Sequence, residues 1–108
     1  MKIIIKATNI ELTPAIKNYV DKKIKLLNKY IKEFEKSTEL IFNIEIGKET
    51  KHHHKGDVFR SEINLKIGKH FLRAEERSEN LYTSIDLTKD KIHNQIIKLK
   101  EKTEEKNK

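Results

Sequence analysis

Residues 15–46 read AIKNYVDKKIKLLNKYIKEFEKSTELIFNIEI, and the spacing of the apolar positions changes partway through this stretch. From Ala15 to about Glu35, Ile16, Val20, Ile24, Leu27, Ile31 and Phe34 recur at steps of three or four, which is one face of an α-helix. After Ser37-Thr38 the step becomes two, with Leu40, Phe42, Ile44 and Ile46 on one side and Ile41, Asn43 and Glu45 on the other, the pattern of a half-buried strand. A helix with one apolar face next to a strand with one apolar face predicts a helix lying on a sheet.

Upstream, Lys2–Thr8 (KIIIKAT) is β-branched and apolar, and Thr13-Pro14 supplies an N-cap followed by a proline at the first helical position. The first strand, the helix and the second strand, joined by so long a crossover, predict a parallel pair with a right-handed connection. Downstream, residues 47–57 (GKETKHHHKGD) are polar with glycine near both ends and read as an exposed hairpin connection. Alternation resumes with Phe59, Ile63, Leu65 and Ile67, and Gly68-Lys69 turns the chain into a strand from His70 through Glu76. Ser78 is the expected cap of a last helix whose buried face is Leu81, Ile85, Thr88, Ile92, Ile96 and Leu99. The expected fold is α+β, in the order β-α-β-β-β-α, with a four-stranded mixed sheet and two helices packed on one face. A single domain is expected over residues 1–102, with 103–108 a charged tail that frays into solvent.

With 38% charged and 35% hydrophobic residues, the chain builds a core only by placing its apolar residues periodically. Its net charge of +7 favours a polyanionic partner. There is no cysteine, hence no disulfide framework and no thiolate site, and the apolar run Ile3–Ile5 is too short for a signal segment or a membrane span. A cytoplasmic location without membrane attachment is the expectation. Three glycines cannot assemble a phosphate loop or a dinucleotide fingerprint, and no G-x-S-x-G is present. Glu75-Glu76 and Glu104-Glu105 are paired by adjacency alone, and neighbours on a strand or helix do not face each other. No enzyme and no cofactor are expected. His52, His53 and His54 raise a metal site, but consecutive residues in extended chain alternate sides and no cysteine or spaced carboxylate set completes a tetrahedron. They are read as a polar loop that meets RNA. Tyr82, one step from the buried row, is expected to pack at the sheet edge.

On the first helix Lys22, Lys25, Lys29, Lys32 and Lys36 also step by three or four, and Lys22 lies about 200° around from Ile24 at roughly 100° per residue. On the last, Lys91, Lys98 and Lys102 form a row with Asn94 in its gap, while Lys89 and Lys100 lie to one side. A lone lysine face merely solvates a helix. Two in one basic domain point to phosphate backbones, bound through charge and shape rather than base edges.

The segment Leu72–Asp86 (LRAEERSENLYTSID) resembles the signature of ribosome hibernation-promoting factors, the family also called ribosome-associated inhibitor or protein Y. Lys91, Gln95, Lys98 and Lys100 match further family positions in the last helix. Ile10–Lys17 (IELTPAIK) matches the family's approach to the first helix, and Lys23, Leu27 and Tyr30 match positions along it. The resemblance implies a βαβββα domain that lodges on the small ribosomal subunit and its rRNA, occupies the messenger and tRNA path at the decoding sites, and stops translation by occlusion as a stress response. It transfers basic RNA contacts to Lys23, Arg73, Lys91, Lys98 and Lys100. With the charge pattern, the expected RNA-binding set is Lys22, Lys23, Lys25, Lys29, Arg73, Lys89, Lys91, Lys98, Lys100 and Lys102. Asn94 and Leu26 stand where family members carry Arg and Lys, with Lys25 and Lys29 nearby. The C-terminal domain by which longer members pair ribosomes has no counterpart here. The chain is therefore expected to be a short member or the N-terminal part of a long one, either working with a separate dimerising protein or holding single ribosomes inactive. The alternative is a general double-stranded RNA-binding domain, which carries a basic cluster where this last helix opens with Ser78-Glu79-Asn80.

Overall fold

Lys2–Thr8 forms strand β1 in the computed structural model, which describes residues 1–49 and 56–106. Helices α1 (Pro14–Lys25) and α2 (Asn28–Glu35) follow, then β2 (Leu40–Glu49), β3 (Val58–Ile67), β4 (His70–Ser78) and α3 (Leu81–Lys106). The strands form one sheet in the order β1-β2-β3-β4, with β1 parallel to β2 and the other pairs antiparallel. The expected mixed α+β architecture is present, with one correction: three helices stand where two were expected.

The single helix predicted over 15–35 is two. Leu26 and Leu27 keep right-handed helical dihedrals, but their amides donate to Lys23 and Ile24, three residues back, at 3.2 and 2.9 Å. Such bonds tighten the winding to about three residues per turn. The apolar step from Ile24 to Leu27 is three residues, so one tightened turn sets Leu27 directly above Ile24. Val20, Ile24, Leu27 and Ile31 are all fully buried as a result, and Leu26 is turned outward. At the start of α1, Thr13 Oγ1 accepts from the Ile16 amide at 3.2 Å and Pro14 takes the first helical position, as the sequence predicts.

Register explains which strand residues meet the helices. Phe42 lies opposite Ile3 and Leu65, and Ile44 opposite Ile5 and Ile63, so the alternate residues of every strand share one face. Leu40, Phe42, Ile44, Ile46, Ile63, Leu65, Ile67 and Ala74 form the sheet side of the core. The helices supply Val20, Ile24, Leu27, Ile31, Leu81, Ile85, Ile92 and Ile96. The other sheet face, carrying Asn43, Lys66, Phe71 and Arg73, is open to solvent. The β2–β3 ladder runs further than expected: Gly47, Lys48 and Glu49, read from sequence as connection, pair with Arg60, Phe59 and Val58. Glycine suits position 47 because a Cβ there would stand 2.8 Å from the Thr8 carbonyl oxygen. Gly68, at φ 57°, makes the two-residue turn between β3 and β4.

Two expectations for the last helix are corrected. Asn80, not Ser78, is the cap: its Oδ1 accepts from the Thr83 amide at 3.2 Å, while Ser78 ends β4 and accepts from the Asn80 amide. The helix also continues past Lys102 to Lys106, into the segment expected to fray. Lysine and glutamate there are good helix formers, and the Thr103 hydroxyl donates to the Leu99 carbonyl at 2.9 Å. The buried row is the predicted one, from Leu81 to Ile96, with Leu99 partly buried. Beneath it lies a hydroxyl cluster: Ser61 and Ser84 share a hydrogen bond of 2.7 Å, and Thr88 donates to the carbonyls of Ser61 and Ser84.

Candidate nucleic-acid interface

Where α1 gives way to α2, the helical pair and α3 leave a groove of about 470 Å³ between them. Lys25, Lys29 and Lys32 line one wall, Lys89 and His93 the other, and Tyr30 and Asn28 also contribute. No carboxylate among the described residues lines it. Lys29 Nζ sits 5.0 Å from the Tyr30 ring centre, and the Tyr30 ring lies 4.2 Å from that of His93. Lys25, Lys29 and Lys32 take no part in the ion pairs among the described residues, whereas Lys89 pairs with its neighbour Asp90 at 2.7 Å. The break between α1 and α2 matters here, since the outward Leu26 and the residues that flank it shape this wall. Three ammonium groups without an ion-pair partner among the described residues, beside Lys89 in a concave site that no described carboxylate lines, focus a positive potential suited to phosphates.

The remaining sites of the sequence reading separate by position. At roughly 100° per residue, Lys98 lies about 180° around α3 from Lys89, so the two flanks of this helix face opposite ways. Lys100 shares the flank of Lys89. Lys98 and Lys102 line a shallow depression with Leu72, Gln95 and Leu99 beside β4. Lys91 is on this flank too, 2.5 Å from Glu76 of β4. There Gln95 covers the sheet edge, accepting from the Arg73 amide at 3.3 Å and donating to the Arg73 carbonyl at 2.8 Å. Lys22 is exposed on the outside of α1.

Lys23 and Arg73 are already engaged within the fold. Lys23 Nζ is 3.2 Å from Asp86 of α3 and 5.3 Å from the Tyr19 ring, and the Tyr19 hydroxyl donates to the same carboxylate at 2.7 Å. The hydrogen bond to Asp86 raises the pKa of both Tyr19 and Lys23, so the lysine stays charged and the phenol protonated. Tyr82 packs edge-on against Tyr19, 4.7 Å between ring centres, closing the α1–α3 seam rather than the sheet edge expected for it. Arg73 lies on the open sheet face, on the other side of the molecule from the groove. Its guanidinium is 2.7 Å from Glu62 and 3.4 Å from Glu75. Arg60 bridges the same two carboxylates and Arg77 reaches Glu75 and Glu49. The Arg60 hydrogen bond, with the charges of Arg60 and Arg77, holds the Glu75 pKa at about 2. Burial pushes Glu62 up, but the hydrogen bonds from Asn64 and Arg60 and the charges of Arg60 and Arg73 outweigh it and leave it lowered.

Of the lysines and histidines that line the groove, Lys32 and His93 were not among the expected contacts. Lys32 belongs to the lysine row of the first helix, and His93 stands four residues after Lys89, so both spacings were visible. Their convergence was not, because it depends on how α2 crosses α3. The histidines 52–54 lie outside the described residues.

The four-stranded sheet with one parallel edge, its helices on one face and a lysine-lined groove between them, defines a small basic α+β domain. The sequence model of the family described as Sigma 54 modulation protein / S30EA ribosomal protein matches residues 3–104, and the chain belongs to that family. It is 34% identical over 102 residues to the ribosome hibernation promotion factor of a Picosynechococcus strain, covering 94% of this chain and 50% of that protein. Proteins of the same name from Lactococcus lactis and Bacillus subtilis are each 33% identical, again over half their length. The chain thus spans about half the length of the curated relatives it matches. Among solved structures, the N-terminal domain of Thermus thermophilus protein Y superposes with a TM-score of 0.71 at 28% identity, covering 91% of this chain and 94% of that one. A ribosomal subunit interface protein from Coxiella burnetii, at 21% identity and a TM-score of 0.68, shares the fold, with 93% of this chain covered and 98% of that one.

Proposed function

We propose that this chain is a ribosome hibernation factor that acts in the cytoplasm by occupying the decoding channel of the small ribosomal subunit, excluding messenger RNA and tRNA without catalysis. Membership of the family supports the ribosomal role, and the acid-free lysine groove between the helices is the observation that carries the RNA contact. Lys25, Lys29, Lys32 and Lys89 hold phosphates there. Lys98 and Lys102 on the far flank of α3, with Lys91, reach a second stretch of backbone, while Lys100 extends the flank of Lys89. Lysine ammonium groups give charge without a fixed fork, so recognition follows the shape of folded rRNA rather than base identity. Against a general double-stranded RNA binder stands the start of α3, where Glu79 is acidic and Asn80 is committed to the cap.

An occluding protein must fill each ribosome, whereas an enzyme turns over. Titration into cell-free translation should give full inhibition at about one protein per ribosome, with intact rRNA and co-sedimentation with the small subunit. Full inhibition at one protein per hundred ribosomes, or cleaved rRNA, would overturn the reading.

A further inference from the structure

The open face of the sheet divides into two halves of different chemistry. In the half towards Gly47, the register sets Lys6, Glu45, Glu62, Glu75, Arg60 and Arg77 side by side, and their charges cancel in the ion-pair network. In the other half, Ile41 lies opposite Lys2 and Lys66, Asn43 opposite Ile4 and Asn64, and Lys66 opposite Phe71. None of these residues is a carboxylate. The cations of this half are Lys2, Lys66 and, at the boundary, Arg73, which remains 61% exposed although Glu62 and Glu75 orient it. At its outer corner, on the edge strand β4, Phe71 is 76% exposed, and Lys66 Nζ stands 5.9 Å from the ring centre. Asn43 makes no side-chain hydrogen bond among the described residues, and the Asn64 amide donates to Glu62 with its carbonyl oxygen uncommitted.

We propose that this half of the open face is a second nucleic-acid site, which takes a single-stranded RNA segment by stacking an unpaired base on Phe71. Lys66 and Arg73 neutralise the phosphates beside the ring, Lys2 on the far edge of the sheet meets one further along the RNA, and Asn43 and Asn64 offer donors and acceptors to base edges. An exposed aromatic ring at the edge of an open four-stranded sheet, with Lys66 beside it and Arg73 two residues along the same strand, suits an unstacked base, whose face is apolar and whose backbone is anionic. A protein partner docking through Ile4, Ile41 and Phe71 would find its apolar contact interrupted by Lys66, which stands between Ile41 and Phe71 in the register. A duplex, with its bases stacked inside, cannot use the ring. The site lies on the opposite side of the sheet from the helix groove and does not depend on it.

The chain has no tryptophan, so Phe71→Trp introduces a single fluorescent reporter at this position. Anisotropy with a labelled single-stranded RNA of about ten nucleotides should show F71W binding like wild type, with its emission quenched on saturation, and F71A weaker by about tenfold. Melting temperature should be unchanged in F71A, since the side chain is mostly in solvent. A duplex of the same sequence should leave the indole emission of F71W unchanged, and adding K25E/K29E to F71W should preserve the quenching by single-stranded RNA. An F71A affinity within about twofold of wild type, against the stacking energy expected, or unmoved F71W emission at saturation, overturns the proposal. So does a concentration-dependent sedimentation coefficient that F71A abolishes while RNA affinity stays intact, which would make the face a protein contact.

Discussion

Lys23 and Lys25 are two positions apart on α1, yet Asp86 holds the first at 3.2 Å while the second lines the groove. Their substitutions should therefore separate. K23Q should lower stability by about 0.5–1 kcal/mol with a small effect on ribosome binding, and K25Q should do the reverse, read by urea melts and co-sedimentation. The family resemblance alone places Lys23 among the RNA contacts, because its partner lies on another helix far along the chain. A second residue-scale test concerns acid. The carboxyl of Glu75, ordinarily near 4.5, is held at about 2 in the fold by Arg60 and Arg77. A depressed folded pKa contributes stability fully above the unfolded value, and that contribution is lost as pH falls from about 4.5 towards 2. E75Q should cost on the order of 1–2 kcal/mol at neutral pH and lose less stability than wild type across that acid window, measured by denaturant melts at several pH values. The pairing of Glu75 and the buried Glu62 does not stand out in the sequence, since each joins partners two residues away on its own strand to an arginine that the register brings from the neighbouring strand.

Periodicity located β2, β3 and both helical faces, because burial imposes a step of two or of three to four directly on the residue order, while β-branched composition marked β1 and the Gly68-Lys69 turn marked β4. It missed the α1–α2 break, where all residues stay helical and only the bonding changes from four to three residues back. Nothing in Leu26-Leu27 signals this, as neither proline nor glycine is present; the tightened turn answers the packing of Leu27 above Ile24. The cap of α3 was misread by two residues because Ser78 and Asn80 are both good cap formers, and the sheet ladder claims Ser78 through its pairing with Phe59. Loss of the true cap is measurable. N80A should destabilise the fold by about 1 kcal/mol, and S78A by clearly less, in parallel urea denaturations. Equal costs would mean that the Asn80 bond to Thr83 contributes nothing specific.

At the scale of the whole molecule, the excess of positive charge is sorted rather than spread. On the open sheet face Arg60, Arg73 and Arg77 are tied to Glu49, Glu62 and Glu75, while on the helix side Lys25, Lys29, Lys32, Lys98 and Lys102 take no ion-pair partner among the described residues. The sequence showed the lysine rows but not that those of α3 diverge, with Lys89 facing α2 and Lys98 facing β4, since that depends on which side of α3 the other helices pack. Free ammonium groups that meet phosphate release counterions, so ribosome affinity should fall linearly with salt on logarithmic axes, by roughly 0.7–0.9 in slope for each phosphate neutralised. K25E/K29E should weaken binding and flatten this slope by nearly two such increments. K17E/K69E makes the same change in total charge at two exposed lysines outside the groove, and it should lower affinity only slightly with the slope retained. If both double variants flatten the slope equally, net charge rather than the groove governs binding, and the interface must be sought elsewhere on the surface.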